Sequence, residues 1–162
     1  MRKLLRVTFI TIIVSMAALN VSAAKSEAQK VREIIDKVNN KWQSDNSPKS
    51  SSFWDNAAYH TGNMEAYMLT GNEKWRKYSE EWANHNQWKG AKSNDKSRWR
   101  YSYGESDEYV LFGDFQVCFQ TYADLYNLDP QDYKIARARE VMEYEMSTKN
   151  NDYWWWSDGL YM

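Results

Sequence analysis

Cysteine, proline, glycine and histidine are all scarce in this chain: of 162 residues, one is cysteine, two are proline, six are glycine and two are histidine. A lone thiol, Cys118, excludes an internal disulfide and any cysteine-built metal site, so the fold must rest on its hydrophobic core. Charge of one sign is lacking too, since 21 basic side chains meet 22 acidic ones for a net charge of -1. A polyanion binder carries a basic excess or stripe, so nucleic acid is not an expected partner. No glycine-rich phosphate loop, HExxH pair, Cys/His cluster or GxSxG motif occurs. Nucleotide, zinc and serine-esterase chemistry therefore have no residues to stand on, and neither a metal nor a cofactor is expected. What abounds is aromatic: nine Trp, twelve Tyr and five Phe make up 16% of the chain. Such rings suit packed helical cores and also the C–H faces of sugar rings.

Long apolar runs are absent except at the start. Arg2, Lys3 and Arg6 precede an apolar run from Val7 to Val21, and small residues Val21, Ala23 and Ala24 follow. This order predicts a cleavable secretory signal over residues 1–23, a mature domain over 24–162, and a periplasmic or secreted location. The run is short for a membrane span and no cysteine follows it, so neither stable membrane insertion nor a lipid anchor is expected.

The mature chain reads as helices. Ser26 followed by Gln29 forms a capping-box pattern ahead of an apolar stripe at Ala28, Val31, Ile34, Ile35, Val38 and Trp42. Pro48 breaks it, and a second helix runs from Trp54 to a stop at Gly71. Asn72 caps a third, with Trp75, Tyr78 and Trp82 on one face. From Gln87 to Asp107 no helical period holds, which predicts a long ordered loop. A further helix places Phe115, Cys118, Phe119, Tyr122 and Leu125 together. Asp129 and Pro130 are expected to start the next one, packed through Ile135, Ala138, Met142 and Met146. Trp75 and Tyr133 stand about 58 residues apart in similar turns, which predicts a repeat of helical hairpins. A few stacked hairpins leave a flank uncovered unless a ring closes.

Three segments carry a family resemblance. WWWSDGLYM at 154–162 resembles the Trp-x-Asp-Gly-Leu-Tyr-Met segment of glycoside hydrolase family 105, a relative of family 88. FWDNAAYHTGNMEAYMLTGNEKWRKYSEEW is similar to that family's first hairpin. GDFQVCFQTYADLY resembles the helix that carries an Asp followed eleven and twelve residues later by Leu-Tyr, here Asp114, Leu125 and Tyr126. The likeness spans about residues 30 to 162. It implies an all-α fold, the N-terminal part of an (α/α)6 barrel of six hairpins with the site in a central funnel. A full barrel exceeds the usual single-domain size, so the chain is expected to be a fragment, truncated at its C-terminus.

The resemblance also implies a chemistry. Family members remove a 4,5-unsaturated uronyl residue from the non-reducing end of pectin (rhamnogalacturonan) oligosaccharides by hydrating its enol-ether double bond. Asp158 would be the acid/base, and its tryptophan neighbours would raise its pKa by desolvation. Asp114 would hold the sugar or tune its partner's proton, while Trp156, Trp155, Tyr59 and His60 would contact substrate. The plainer alternatives are helix starts for both aspartates and core positions for Trp155 and His60. Trp88, Arg98, Trp99, Arg100 and Tyr103 offer a second surface, whose plain reading is a solvated face. The alternative for the whole chain is a non-catalytic helical remnant that binds oligosaccharide or self-associates through its unclosed flank. Another (α/α)6 glycosidase with ordinary acid and base carboxylates is the third reading.

Overall fold

The structure, a computed structural model, describes residues 25–101 and 103–147; Trp155, Trp156 and Asp158 lie outside them. The chain divides into two compact units, Met1–Ile34 and Ile35–Met162. Helix α1 (Glu27–Asp45) begins in the first and continues into the second. It starts with the expected capping box: the Ser26 N–H donates to Gln29 Oε1 at 2.8 Å, and the Gln29 N–H donates to Ser26 Oγ at 3.2 Å.

The second unit holds α2 (Trp54–Thr70), α3 (Glu73–His85), α4 (Gly113–Gln116), α5 (Cys118–Leu128) and α6 (Ala136–Ser147). Short 3-10 turns lie at Lys96–Arg98 and Asp132–Lys134, and no strand occurs among the described residues. No helix among them is long and apolar enough to cross a membrane.

The α2–α3 hairpin turns where the sequence says it should. Gly71 takes φ 72°, a left-handed conformation natural to glycine, and its N–H returns to Tyr67 O at 2.7 Å. Asn72 Oδ1 then accepts the Lys74 N–H at 3.1 Å, capping α3. Trp75 and Trp82 are fully buried on the inner face of α3. Helix α2 packs on α3 and on α5, joining the hairpins into one core of Ala57, Met64, Trp82, Ala83, Trp88, Cys118, Tyr122 and Leu125. Each large side chain so buried contributes about 2 kcal/mol or more.

The second hairpin departs from expectation. Asp129 ends α5 rather than starting α6, because its carboxylate pairs with Lys134 Nζ at 2.8 Å and accepts from Gln131 Nε2 at 3.1 Å. Helix α6 begins only at Ala136. Its buried face is Arg137, Val141 and Glu145, with Met142 and Met146 exposed. The charged ends of that stripe have partners: the Arg137 guanidinium donates to Ser93 O at 2.9 Å and pairs with Glu140 at 3.0 Å, leaving only its Nε without an acceptor, and Glu145 Oε1 accepts from Gln116 Nε2 at 2.9 Å. The hairpin repeat is thus one of layout, since Trp75 is buried and Tyr133 is not, while Lys134 takes the buried place.

Between the hairpins, the described residues of 86–112 form a loop with one short 3-10 turn, longer than the Gln87–Asp107 stretch that the lack of helical period predicts. Gln87 and Trp88 adopt left-handed φ of 56° and 57°, a conformation costing about 1–2 kcal/mol per residue. Packing holds it: Trp88 lies against Tyr122 and Tyr133, with the Lys134 ammonium 5.4 Å from its ring. The loop also brings its own core of Ala91, Trp99, Val110, Leu111 and Phe112, closed by Phe115 and Val141.

Candidate active site

The end of the second unit where α2 and α4 begin is assembled by groups reaching over from α3. Trp82 Nε1 donates to Ser51 O at 3.0 Å and Asn86 Nδ2 to Ser50 O at 3.0 Å, fixing the chain just before α2. Ser52 Oγ, itself buried, donates to Gly90 O at 2.9 Å and ties that chain to the long loop. Phe53 meets Phe115 edge to face with centroids 4.9 Å apart, which ties it to α4. At the junction a Cβ on Gly90 would collide with the carbonyl of Phe115, so only glycine allows the approach. Gly90→Ala is expected to destabilise the protein by about 1–3 kcal/mol, read as a lowered urea midpoint; an unchanged midpoint would show that the junction yields freely.

A cleft of about 560 Å³ opens beside this junction. Trp54, Asp55, Lys92, Glu105, Asp107 and Phe115 are among its walls. Trp54 is 51% exposed, a bulky ring left half in water at the first position of α2. Lys92 and Asp107 are set by backbone pairing: Asp107 Oδ1 accepts the Lys92 N–H at 3.1 Å, and Asp107 O accepts the Ser93 N–H at 2.9 Å. Behind them the buried Arg137 guanidinium donates to Ser93 O at 2.9 Å and Asn94 Oδ1 at 2.8 Å.

Asp114, next to the cleft residue Phe115, is half-buried in the first turn of α4. Among the described residues its carboxylate has no hydrogen-bond or ion-pair partner, and burial raises its pKa above the usual carboxylate value. It does not cap the helix, because the N-cap position is Phe112. A desolvated, unpartnered carboxyl can hold or pass a proton nearer neutral pH than a solvated one.

The other expected site residues that are described sit deeper. His60 is 2% exposed, its Nδ1 is 3.0 Å from Ser79 Oγ, and its ring stacks on Trp82 at 4.0 Å. Burial pulls its pKa down to about 3, so the ring is neutral. Tyr59 stacks on Trp42 at 4.4 Å, donates to Asn39 Oδ1 at 3.2 Å and accepts from Gln43 Nε2 at 3.2 Å; burial pushes its pKa up to about 12. The structure thus places both at packed helix contacts and not on the cleft wall. Of the loop candidates, Trp88 and Trp99 are core, and exposed Arg98 pairs with Glu108. Among the described residues no group of three or more His, Cys, Asp or Glu gathers to hold a metal.

The model of Glycosyl Hydrolase Family 88 matches residues 27–162. The chain belongs to glycosyl hydrolase family 88. One solved relative, a glycosyl hydrolase family 88 protein from Bacteroides vulgatus, is 64% identical with a TM-score of 0.77, over 80% of this chain and 37% of its own. Another, named as a polysaccharide lyase, is 66% identical with a TM-score of 0.79, over 84% of this chain and 38% of its own. A search of curated proteins finds no match. Family 88 proteins are (α/α)6 barrels, and this chain corresponds to part of one. In this family 88 chain, α2 and the broken helix α4–α5 are neighbours whose starting ends meet at the cleft. Trp54, Asp55, Lys92 and Asp107 were not singled out from sequence. For the loop residues no local signal exists; for Trp54, a tryptophan directly after an extended N-cap is the one clue, because a first-turn position has few helical neighbours to bury it.

Proposed function

We propose that the protein to which this chain belongs removes a 4,5-unsaturated uronyl residue from the end of rhamnogalacturonan-type pectin oligosaccharides, as family 105 enzymes do. The observation that carries the reading is Asp114: half-buried, without a partner among the described residues, and next in sequence to Phe115 of a mainly polar cleft that also holds Trp54. In this reaction an acid delivers a proton to C4, water adds at C5, and the resulting hemiketal opens to release the shortened oligosaccharide. No covalent bond to the protein forms, so the protein's task is to desolvate, orient and move one proton. Asp158 is the proposed donor and then the base for water. Asp114 is proposed to bind the sugar and to hold its partner's pKa up by like-charge proximity. Trp156 and Trp155 are proposed to flank the ring. The signal-like residues 1–23 support action outside the cytoplasm, where such fragments would be met.

The name of the second relative supports another reading, that of a polysaccharide lyase. A lyase removes the C5 proton and expels the substituent at C4, creating the double bond that the hydrolase destroys. One spectrophotometric assay separates them. With unsaturated oligosaccharides, the hydrolase reading expects loss of the ultraviolet enol-ether absorbance. A gain of that absorbance on intact polysaccharide would select the lyase instead. No change with either substrate would sink both.

A further inference from the structure

The charge on the cleft is the reverse of what an acidic sugar requires. Asp55, Glu105 and Asp107 stand on its walls against one lysine, Lys92, and one imidazole, His85. The Lys92 backbone is itself bound to Asp107, so that carboxylate is fixed at the rim and not free to swing away. Glu105 hangs from the loop tip, and Asp55 sits in the first turn of α2, where its Oδ1 accepts the Asn56 N–H at 2.8 Å. Each carboxylate retains acceptor capacity for hydroxyl donors, and each repels an incoming carboxylate. Beside them, Trp54 presents a half-exposed ring, a surface suited to the C–H face of a pyranose.

We propose that this cleft is a subsite for an uncharged sugar ring and that its three carboxylates exclude uronic acids from it. The inference rests on the reading that the substrate is a carbohydrate, and it adds a polarity to that reading: the uronyl residue binds elsewhere, and the cleft takes a neutral neighbour. Trp54 supplies the platform, the carboxylates accept from the ring hydroxyls, and on the cleft wall Lys92 with the His85 imidazole does not outweigh three carboxylates around one sugar. The selectivity is negative in kind, arising from repulsion of the wrong sugar more than from added attraction for the right one.

The test compares two sugars alike in stereochemistry and differing only at C6, methyl α-galactoside and methyl α-galacturonide, titrated into the full-length protein at neutral pH and low salt. The galactoside is expected to bind more tightly by about tenfold or more, the scale of like-charge repulsion near a protein surface. The double substitution Asp55→Asn with Glu105→Gln keeps an acceptor oxygen at each place, and should close most of that gap by improving galacturonide binding. Trp54→Ala should weaken the galactoside. Equal or tighter binding of galacturonide by the unaltered protein, no binding of either sugar, or a gap untouched by the double substitution would each overturn the proposal. The enol-ether assay reads the hydrolase reading separately, so an inactive protein that still prefers the galactoside would sink only that one.

Discussion

Asp114→Asn in the full-length protein is expected to lower turnover of unsaturated oligosaccharides by about 10² to 10⁴-fold, the usual contribution of a positioned proton-handling group. The same substitution should leave the unfolding midpoint where it is or raise it slightly. Asp114 makes no hydrogen bond or ion pair among the described residues, so asparagine deletes no contact there, and it removes a carboxyl that burial disfavours in its charged form. A residue kept for structure behaves the opposite way, losing stability when its charge is lost. The two readouts together separate a functional carboxylate from a structural one, because functional sites retain groups that cost stability. The sign with pH follows from the raised pKa. The folded state holds its proton to higher pH than the unfolded chain does, so Asp114 weakens the fold as pH rises through its folded pKa, and the asparagine variant lacks that loss. Full activity in the variant would remove Asp114 from the mechanism.

Acid should unfold the protein through His60. Its folded pKa lies at about 3 and its unfolded one near 6.5, so above pH 6.5 the ring is neutral in both states and has no effect. Below that, the unfolded chain binds the proton and the folded one does not, and stability falls with falling pH by up to about 1.4 kcal/mol per unit. Down to pH 3 the loss from this one ring is on the order of 4–5 kcal/mol, comparable to the whole stability of many domains. The cause is local. The ring is stacked between Trp82 at 4.0 Å and Tyr78 at 5.6 Å, with Ser79 Oγ at Nδ1, and no carboxylate is among these neighbours to receive an imidazolium. Urea unfolding at pH 7 and pH 5 in wild type and His60→Gln should show an extra loss in wild type of about 2 kcal/mol. Parallel losses would mean that the ring gains its proton within the fold.

Much of this architecture was legible in advance, for reasons that can be named. Ser26 with Gln29, Gly71 and Asn72 act within a few residues of themselves, and such local chemistry decides helix ends wherever the chain later packs. The apolar face of α4–α5 was legible because its aromatic and aliphatic residues recur at helical spacing and pack together. Helix α6 misled because Arg137 and Glu145 look like surface residues. Beside the local pair of Arg137 with Glu140, distant loop carbonyls and Gln116 take part in their burial, and no local pattern encodes those distant partners. Asp129 misled for a different reason, since Lys134, only five residues on, takes the carboxylate expected to cap a helix. At the site, Asp114 was reached through resemblance and not through spacing. The cleft itself, made by contacts as distant in sequence as Ser52 with Gly90, could not be seen.

The loop between the hairpins is tied at both stems by backbone bonds, and among its described tip residues Tyr103 meets Phe112 edge to face at 5.7 Å. Arg137 grips the stem at Ser93 and Asn94, and the backbone bonds Ser93 to Asp107 and Arg100 to Glu108 close it like a drawstring. Glu105 lies beyond those ties, exposed, on the rim of the cleft. Exposed positions away from packing usually tolerate substitution within about 0.5 kcal/mol. If the cleft takes the sugar proposed for it, a single codon change at this rim would alter sugar preference while the helical scaffold and its junction at Gly90 stay as they are.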